Sequence, residues 1–173
     1  FPDTYLFEWA AEPAAILGRM IERFRQESAA LAAERTAIGM SELDMVTLAS
    51  VIEKETGLAS ERPLISSVFH NRLKLGMRLD SDPTVIYGIE NFNGNITRKN
   101  LETPTPYNTY KIYGLPPGPI ASPGASAIEA ALYPADTDFL YFVAKGDGSH
   151  QFSKTLEEHR QAVKKYQLRK NTH

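Results

Sequence analysis

Cysteine is missing altogether from the 173 residues, which rules out a disulfide framework and any thiolate metal site. Long apolar runs are missing too: none approaches the roughly 20 residues that a membrane span needs, and no signal peptide opens the chain. The chain starts at Phe1-Pro2-Asp3 rather than at Met, so we expect a fragment of a longer protein. Charge is close to balanced at net −2, and no basic cluster exceeds Arg169-Lys170, which argues against a nucleic-acid partner. Motifs for nucleotide binding and serine hydrolysis (the P-loop, GxGxxG and GxSxG) do not occur. His70, His150, His159 and His173 show no HExxH or other ligand spacing, so neither a metal nor a cofactor is expected.

What remains is an ordinary soluble composition, 42% hydrophobic and 23% charged, in a chain long enough for one well-cored domain. Residues 4–9 are aromatic-rich and strand-like. Residues 13–35 carry Ile16, Leu17, Met20, Ile21 and Phe24 at helical spacing, which predicts one long amphipathic helix. Ser41 is a good N-cap, with Asp44 three residues on, for a helix running to Thr56 with Gly57 just beyond it. Ser60 and Pro63 open a second helix that ends at Gly76. So short a connection predicts a helical hairpin bringing 60–75 alongside Glu53. Asp82-Pro83 reads as cap and first turn of a short helix ending near Gly88, and Thr97 as the cap of another turn.

Seven of the eleven prolines then fall from Pro104 to Pro134. Tyr107, Tyr110, Tyr113 and Leu115 make this stretch too aromatic for a disordered one, so an ordered loop lining a groove is expected. Ser122-Pro123 starts a further short helix. Residues 139–144 form the clearest strand, and Gly146-Asp147-Gly148 turns it back on 150–153 as a hairpin. A charged helix over 157–169 closes the chain. The expected fold class is α+β: a mainly helical domain with a small antiparallel hairpin and a long Pro/Tyr-rich loop.

Chemistry is concentrated at Leu48-Ala49-Ser50-Val51-Ile52-Glu53-Lys54-Glu55-Thr56. This helix is apolar around most of its circumference, as buried helices are, yet its last turn carries two carboxylates. On a helical wheel Glu53 falls between Val46 and Ala49, while Glu55 lies nearer Asp44, Leu48 and Val51. They do not face each other. A glutamate pointing into an apolar-walled cleft is raised in pKa and can hold a proton near neutral pH, which suits protonation of a glycosidic oxygen. The plainer alternative is that both glutamates end a helix and pair with Lys54, Arg62 or solvent. Asp80-Ser81-Asp82 looks like an acidic metal pair, but a capping role for Asp82 explains it without a metal. Asn71, Thr84, Thr105, Tyr107, Asn108 and Tyr110 form a polar and aromatic set suited to carbohydrate recognition.

Several ordered blocks carry a family resemblance. They are Ala49-Ser50-Val51-Ile52-Glu53-Lys54-Glu55-Thr56, Ser60-Glu61-Arg62-Pro63, Val68-Phe69-His70-Asn71-Arg72-Leu73 and Asp82-Pro83-Thr84-Val85-Ile86-Tyr87-Gly88. Thr103-Pro104-Thr105-Pro106-Tyr107-Asn108-Thr109-Tyr110 and Gly114-Leu115-Pro116-Pro117-Gly118-Pro119-Ile120 follow. In order and spacing they resemble the YceG-like family, the MltG-type endolytic murein transglycosylases, over essentially the whole chain. His70 departs from the family pattern, where an apolar residue is expected.

The resemblance implies a bacterial enzyme that cuts nascent peptidoglycan strands within the glycan chain. Such proteins are anchored to the cytoplasmic membrane by one N-terminal helix and work outside it, beside cell-wall synthases. It implies Glu53 as the catalytic glutamate, with Asn71, Thr84, Tyr107, Asn108 and Tyr110 as candidates for the glycan groove. It also implies a LysM-like subdomain mostly upstream, so that 1–40 forms the junction and 41–173 the catalytic domain. The expected reaction cleaves the β-1,4 bond from N-acetylmuramic acid to N-acetylglucosamine and leaves a 1,6-anhydro end, one carboxyl serving as acid and then base. Alternatives are a muramidase-type hydrolase with the same acid and a non-catalytic peptidoglycan-binding module.

Overall fold

The structure, a computed structural model, describes residues 1–168. Residues 4–9 do not form the expected strand. Among the described residues no strand lies beside them to complete a ladder, and an isolated strand has no stability of its own. The segment is held instead by Arg23 Nε donating to Asp3 Oδ2 at 2.7 Å and by Tyr5 Oη donating to the Phe1 carbonyl at 2.8 Å. The expected single helix is split into α1 (Pro13–Ala29) and α2 (Ala32–Ala37). Phe24 and Leu31 pack against the core from this arm.

The core is organised around α3 (Glu42–Glu55), whose residues Met45 and Thr47 to Ile52 are all buried. Ser41 caps it as its sequence predicts, Oγ accepting from the Asp44 backbone N–H at 3.0 Å and satisfying one of the first-turn donors. Its other end differs from expectation. Thr56 is extended rather than followed by a left-handed glycine, and its Oγ1 accepts from the Leu58 N–H. A 3₁₀ turn over Ala59–Glu61 leads into α4 (Arg62–Lys74). Gly76 ends that helix at φ 65°, with its N–H on the Leu73 carbonyl and the Met77 N–H on the Arg72 carbonyl. This is the Schellman geometry that favours glycine.

Next come α5 (Asp82–Tyr87), α6 (Arg98–Glu102) and α7 (Ala125–Leu132). Ser81, not Asp82, occupies the cap position of α5, without a side-chain capping bond; Asp82 stands one residue inside. Thr97 and Asn100 cap α6 reciprocally. Gly124 replaces Ser122 as the cap of α7, which packs broadly along α3. Strands β1 (Tyr141–Ala144) and β2 (His150–Ser153) pair antiparallel with Ala144 opposite His150, and α8 (Leu156–Val163) lies on them. The helix continues through wider-wound turns over Lys164–Leu168; Arg169, its expected end, lies outside the described residues. The architecture is thus α+β. Among the described residues no helix is long and apolar enough to cross a membrane.

The Pro/Tyr-rich loop is ordered for a reason visible in its hydrogen bonds. Asn108 is fully buried, its Nδ2 donating to the Leu101 and Thr103 carbonyls at 3.1 and 2.7 Å. Thr109 Oγ1 accepts from the Ser81 N–H at 2.9 Å and shares a hydrogen bond with Thr84 Oγ1. Farther along, the Ile120 N–H donates to Ser50 Oγ at 2.9 Å, in the middle of α3. A loop whose backbone groups are satisfied in this way can be buried without penalty.

Candidate active site

The two glutamates in the last turn of α3 lie two positions apart, about 200° around the helix, and the tertiary structure gives them different surroundings. Glu53 turns toward α4 and α7. Its Oε1 accepts from Arg62 Nη2 at 3.1 Å and its Oε2 from the Gly124 N–H at 3.2 Å. Arg62 Nη1 in turn donates to Ser126 Oγ at 2.9 Å. The group ties together the end of α3, the start of α4 and the start of α7. Both oxygens of Glu53 are thereby engaged by the protein itself.

Glu55 turns the other way, into a cleft of about 500 Å³ lined also by Arg72, Asp80, Asp82, Tyr110, Tyr141 and His150. Ser81 Oγ donates to its Oε1. Burial is the main cause that pushes the Glu55 carboxyl up from 4.5 to about 7, helped by the nearby Asp82 charge and opposed by the Ser81 hydrogen bond and Arg72. A group of this kind holds a proton near neutral pH yet can release it, the property required of a general acid that later acts as base.

The walls of the cleft come from distant parts of the chain. Asp80 adopts the left-handed conformation, φ 48°, which aspartate tolerates better than most residues, and this sharp turn delivers Ser81 to Glu55. Burial raises the Asp80 carboxyl against the pull of Arg72. Tyr110 Oη donates to Asp82 Oδ1 at 2.7 Å; burial, then Asp82, hold its phenol well above the ordinary range. Arg72 spans the floor, donating from Nε to the Leu140 carbonyl at 2.7 Å and from Nη1 to the Leu79 carbonyl at 2.9 Å. Its guanidinium lies over the Tyr141 ring, 5.2 Å from the centroid, and Tyr141 also stacks on His159. Burial and the Arg72 charge push the His159 imidazole down. Among the described residues no three acidic or histidine side chains gather as a metal site requires.

Of the residues expected to act on or hold the glycan (Glu53, Asn71, Thr84, Tyr107, Asn108 and Tyr110), Tyr110 alone lines this cleft with Glu55; Asp80 and Asp82, which looked like a metal pair, line it too. Glu53 is in the ion pair with Arg62. Asn71 spends its amide hydrogens on the Thr137 and Phe139 carbonyls at 2.8 and 3.0 Å, fastening α4 to the approach to β1. Thr84 is fully buried and donates to the Ser81 carbonyl. Tyr107 packs on Tyr87 and the core, and Asn108 holds the loop together. Asn71, Thr84 and Asn108 thus fasten the framework around the cleft. Arg72, Ser81 and Tyr141 were given no role, and His150 and His159 were weighed only as metal ligands; the signal available for Arg72 was a cation in helical register with the buried Ile65, Val68 and Phe69.

The sequence profile of the YceG-like family matches residues 1–165. The chain belongs to the YceG-like family. It is 43% identical over 175 residues to a Bacillus subtilis (strain 168) protein named endolytic murein transglycosylase, covering 99% of this chain and 48% of that one. A protein of the same name from Streptococcus pneumoniae serotype 2 (strain D39) is 30% identical over 165 residues, covering 92% of this chain and 30% of that one. A YceG-like protein from Listeria monocytogenes, solved by crystallography, superposes with a TM-score of 0.85 at 44% identity, over 93% of this chain and 52% of that one. The chain therefore spans about half or less of the length of these relatives.

Proposed function

We propose that this YceG-like domain is the catalytic part of an endolytic peptidoglycan transglycosylase, with Glu55 as its acid and then its base. The observation that carries the reading is the Glu55 carboxyl, raised to about 7 chiefly by burial and opening on a polar cleft. The names of its relatives supply the substrate class, a glycan strand of murein. On this reading the domain works outside the cytoplasmic membrane, beside the synthases that make such strands. Residues 41–173 form the working domain, and 1–40 an arm toward the rest of the protein.

The chemistry follows from one carboxyl. Protonated Glu55 gives its proton to the oxygen leaving C1 of N-acetylmuramic acid, and the C1–O bond to N-acetylglucosamine breaks. The positive character at C1 is stabilised by the substrate's own acetamido oxygen, a route that needs no protein nucleophile. Glu55, now a carboxylate, removes the proton from the C6 hydroxyl, whose oxygen bonds to C1 and closes a 1,6-anhydro ring. No water is consumed. Asp82, held by Tyr110, disfavours loss of the Glu55 proton before substrate arrives, and Ser81 steadies the carboxylate once it forms.

This reading moves the acid from Glu53, the residue implied by the family resemblance, to Glu55. What supports the move is that Arg62 and Gly124 already engage the Glu53 oxygens. Mass spectrometry of digested glycan strands tests both points. Glu55→Gln is expected to abolish cleavage and Glu53→Gln to retain it, with 1,6-anhydro ends in the products. The reverse pattern returns the acid to Glu53. Reducing ends would make the protein a muramidase, and absence of cleavage by the unaltered protein would favour a binding module.

A further inference from the structure

A second pair of titratable groups stands at the same cleft and has no part in the chemistry above. Glu61, at the end of the 3₁₀ turn before α4, reaches across the fold to the first residue of β2. Its Oε1 accepts from the His150 backbone N–H at 2.9 Å, and its Oε2 lies 2.7 Å from His150 Nδ1. Both side chains are nearly enclosed, 10% exposed for His150 and 12% for Glu61. Enclosing a carboxylate and an imidazole costs more desolvation than packing two apolar side chains of similar size.

The pairing determines what the imidazole can offer. With Nδ1 turned to Glu61, Nε2 is the ring nitrogen left to meet a ligand. Among the described residues Nε2 has no hydrogen-bond partner, and it is not among the buried polar atoms that lack one. The ring is a wall of the Glu55 cleft. Phe142 meets it edge to face, with centroids 5.5 Å apart, and Phe152 flanks it, so the ring cannot swing away. The arrangement matches the way a carboxylate orients a histidine wherever its second nitrogen must meet a ligand.

We propose that His150 is a substrate-contacting residue of this cleft, its Nε2 accepting a hydrogen bond from a hydroxyl or amide N–H of the glycan, with Glu61 as its positioning residue. The inference rests on the reading of the cleft as a glycan site, but not on which glutamate is the acid. Two substitutions separate contact from mere tethering. His150→Asn keeps a donor near Nδ1 for Glu61 and removes the Nε2 acceptor. His150→Gln places its amide oxygen near the Nε2 position and gives up the side-chain tie to Glu61, keeping only the backbone one.

The test measures binding of an uncrosslinked oligomer of alternating N-acetylglucosamine and N-acetylmuramic acid by calorimetry, in the full chain carrying Glu55→Gln so that turnover does not interfere. We expect His150→Asn to weaken binding tenfold or more with little change in urea midpoint, and His150→Gln to stay within about threefold while unfolding earlier. Binding by His150→Asn within twofold of its parent overturns the proposal, as does loss of binding by His150→Gln alone. Nitrogen NMR of the parent chain gives a reading that needs no substitution at His150. Added oligomer should move the Nε2 resonance and leave Nδ1 in place; an unmoved Nε2 refutes the contact. Cleavage by the Glu55→Gln parent would refute the acid assignment alone, and the same binding series is then read in the Glu53→Gln chain. Absence of any oligomer binding by the parent and by the unaltered chain would remove the glycan reading and the proposal together.

Discussion

Replacing Glu55 with glutamine should make the protein more stable in mild alkali, and the size of the gain follows from the cleft. The Glu55 carboxyl is raised from 4.5 to about 7, mainly by burial. The unfolded chain therefore releases this proton first. Below about pH 4.5 both states hold it and Glu55 contributes no pH dependence. Between 4.5 and 7 the folded state pays a growing penalty of about 1.4 kcal/mol per pH unit, because it keeps a proton the unfolded chain has lost. Above 7 the penalty levels off near 3 kcal/mol. Glutamine is close in shape to the protonated acid and its carbonyl can still accept from Ser81, but it never ionises. The expected result is a Glu55→Gln variant within about 0.5 kcal/mol of the parent at pH 4.5 and about 2–3 kcal/mol more stable at pH 8, the figure being reduced by water in the cleft. Urea unfolding followed by circular dichroism at the two pH values measures it. An equal gap at both pH values, or a variant less stable at pH 8, would refute the view of Glu55 as a buried group holding its proton at a cost.

The same pKa gives a kinetic expectation: kcat/KM for glycan cleavage should fall tenfold per pH unit above about 7, as free enzyme loses the acid, and a flat profile to pH 9 would contradict it. Glu53→Gln breaks the pair with Arg62 and one contact to the Gly124 N–H. It should cost about 1–2 kcal/mol at pH 7, measured by urea unfolding. Asn108→Ala strips the amide from the Leu101 and Thr103 carbonyls and the acceptor from the Tyr110 N–H. A loss of about 3 kcal/mol is expected, and a thermal melt unchanged from the parent would show that Asn108 is not the clamp of the loop.

Much of the framework was legible along the chain because it is encoded by near neighbours. The Ser41 cap, the Thr97 cap, the helical hairpin of α3 and α4 and the hairpin of β1 and β2 all rest on interactions within a few residues. The misses share one cause. Residues 4–9 had strand-like side chains but no partner strand, and residues 13–35 had a continuous apolar stripe that did not reveal the break at Ala30. Nor does a sequence show the carbonyls that the Asn71 and Asn108 amides hold. The carbonyls on Asn71 come from Thr137 and Phe139, more than sixty positions away.

The sequence by itself determined that α3 would be buried, that its last turn would bring two carboxylates into conflict with that burial, and that the chain has the motifs of the YceG-like family. Periodicity and composition suffice for those conclusions, since a helix with almost no polar face has to be enclosed. Which carboxylate meets a cation and which a cleft was decided only in three dimensions. Arg62 and Gly124 reach one side of the helix, while Ser81, Asp82, Tyr110 and the β-hairpin enclose the other. The desolvation that raises Glu55 comes from groups far along the chain, and no count of residues within the helix contains it.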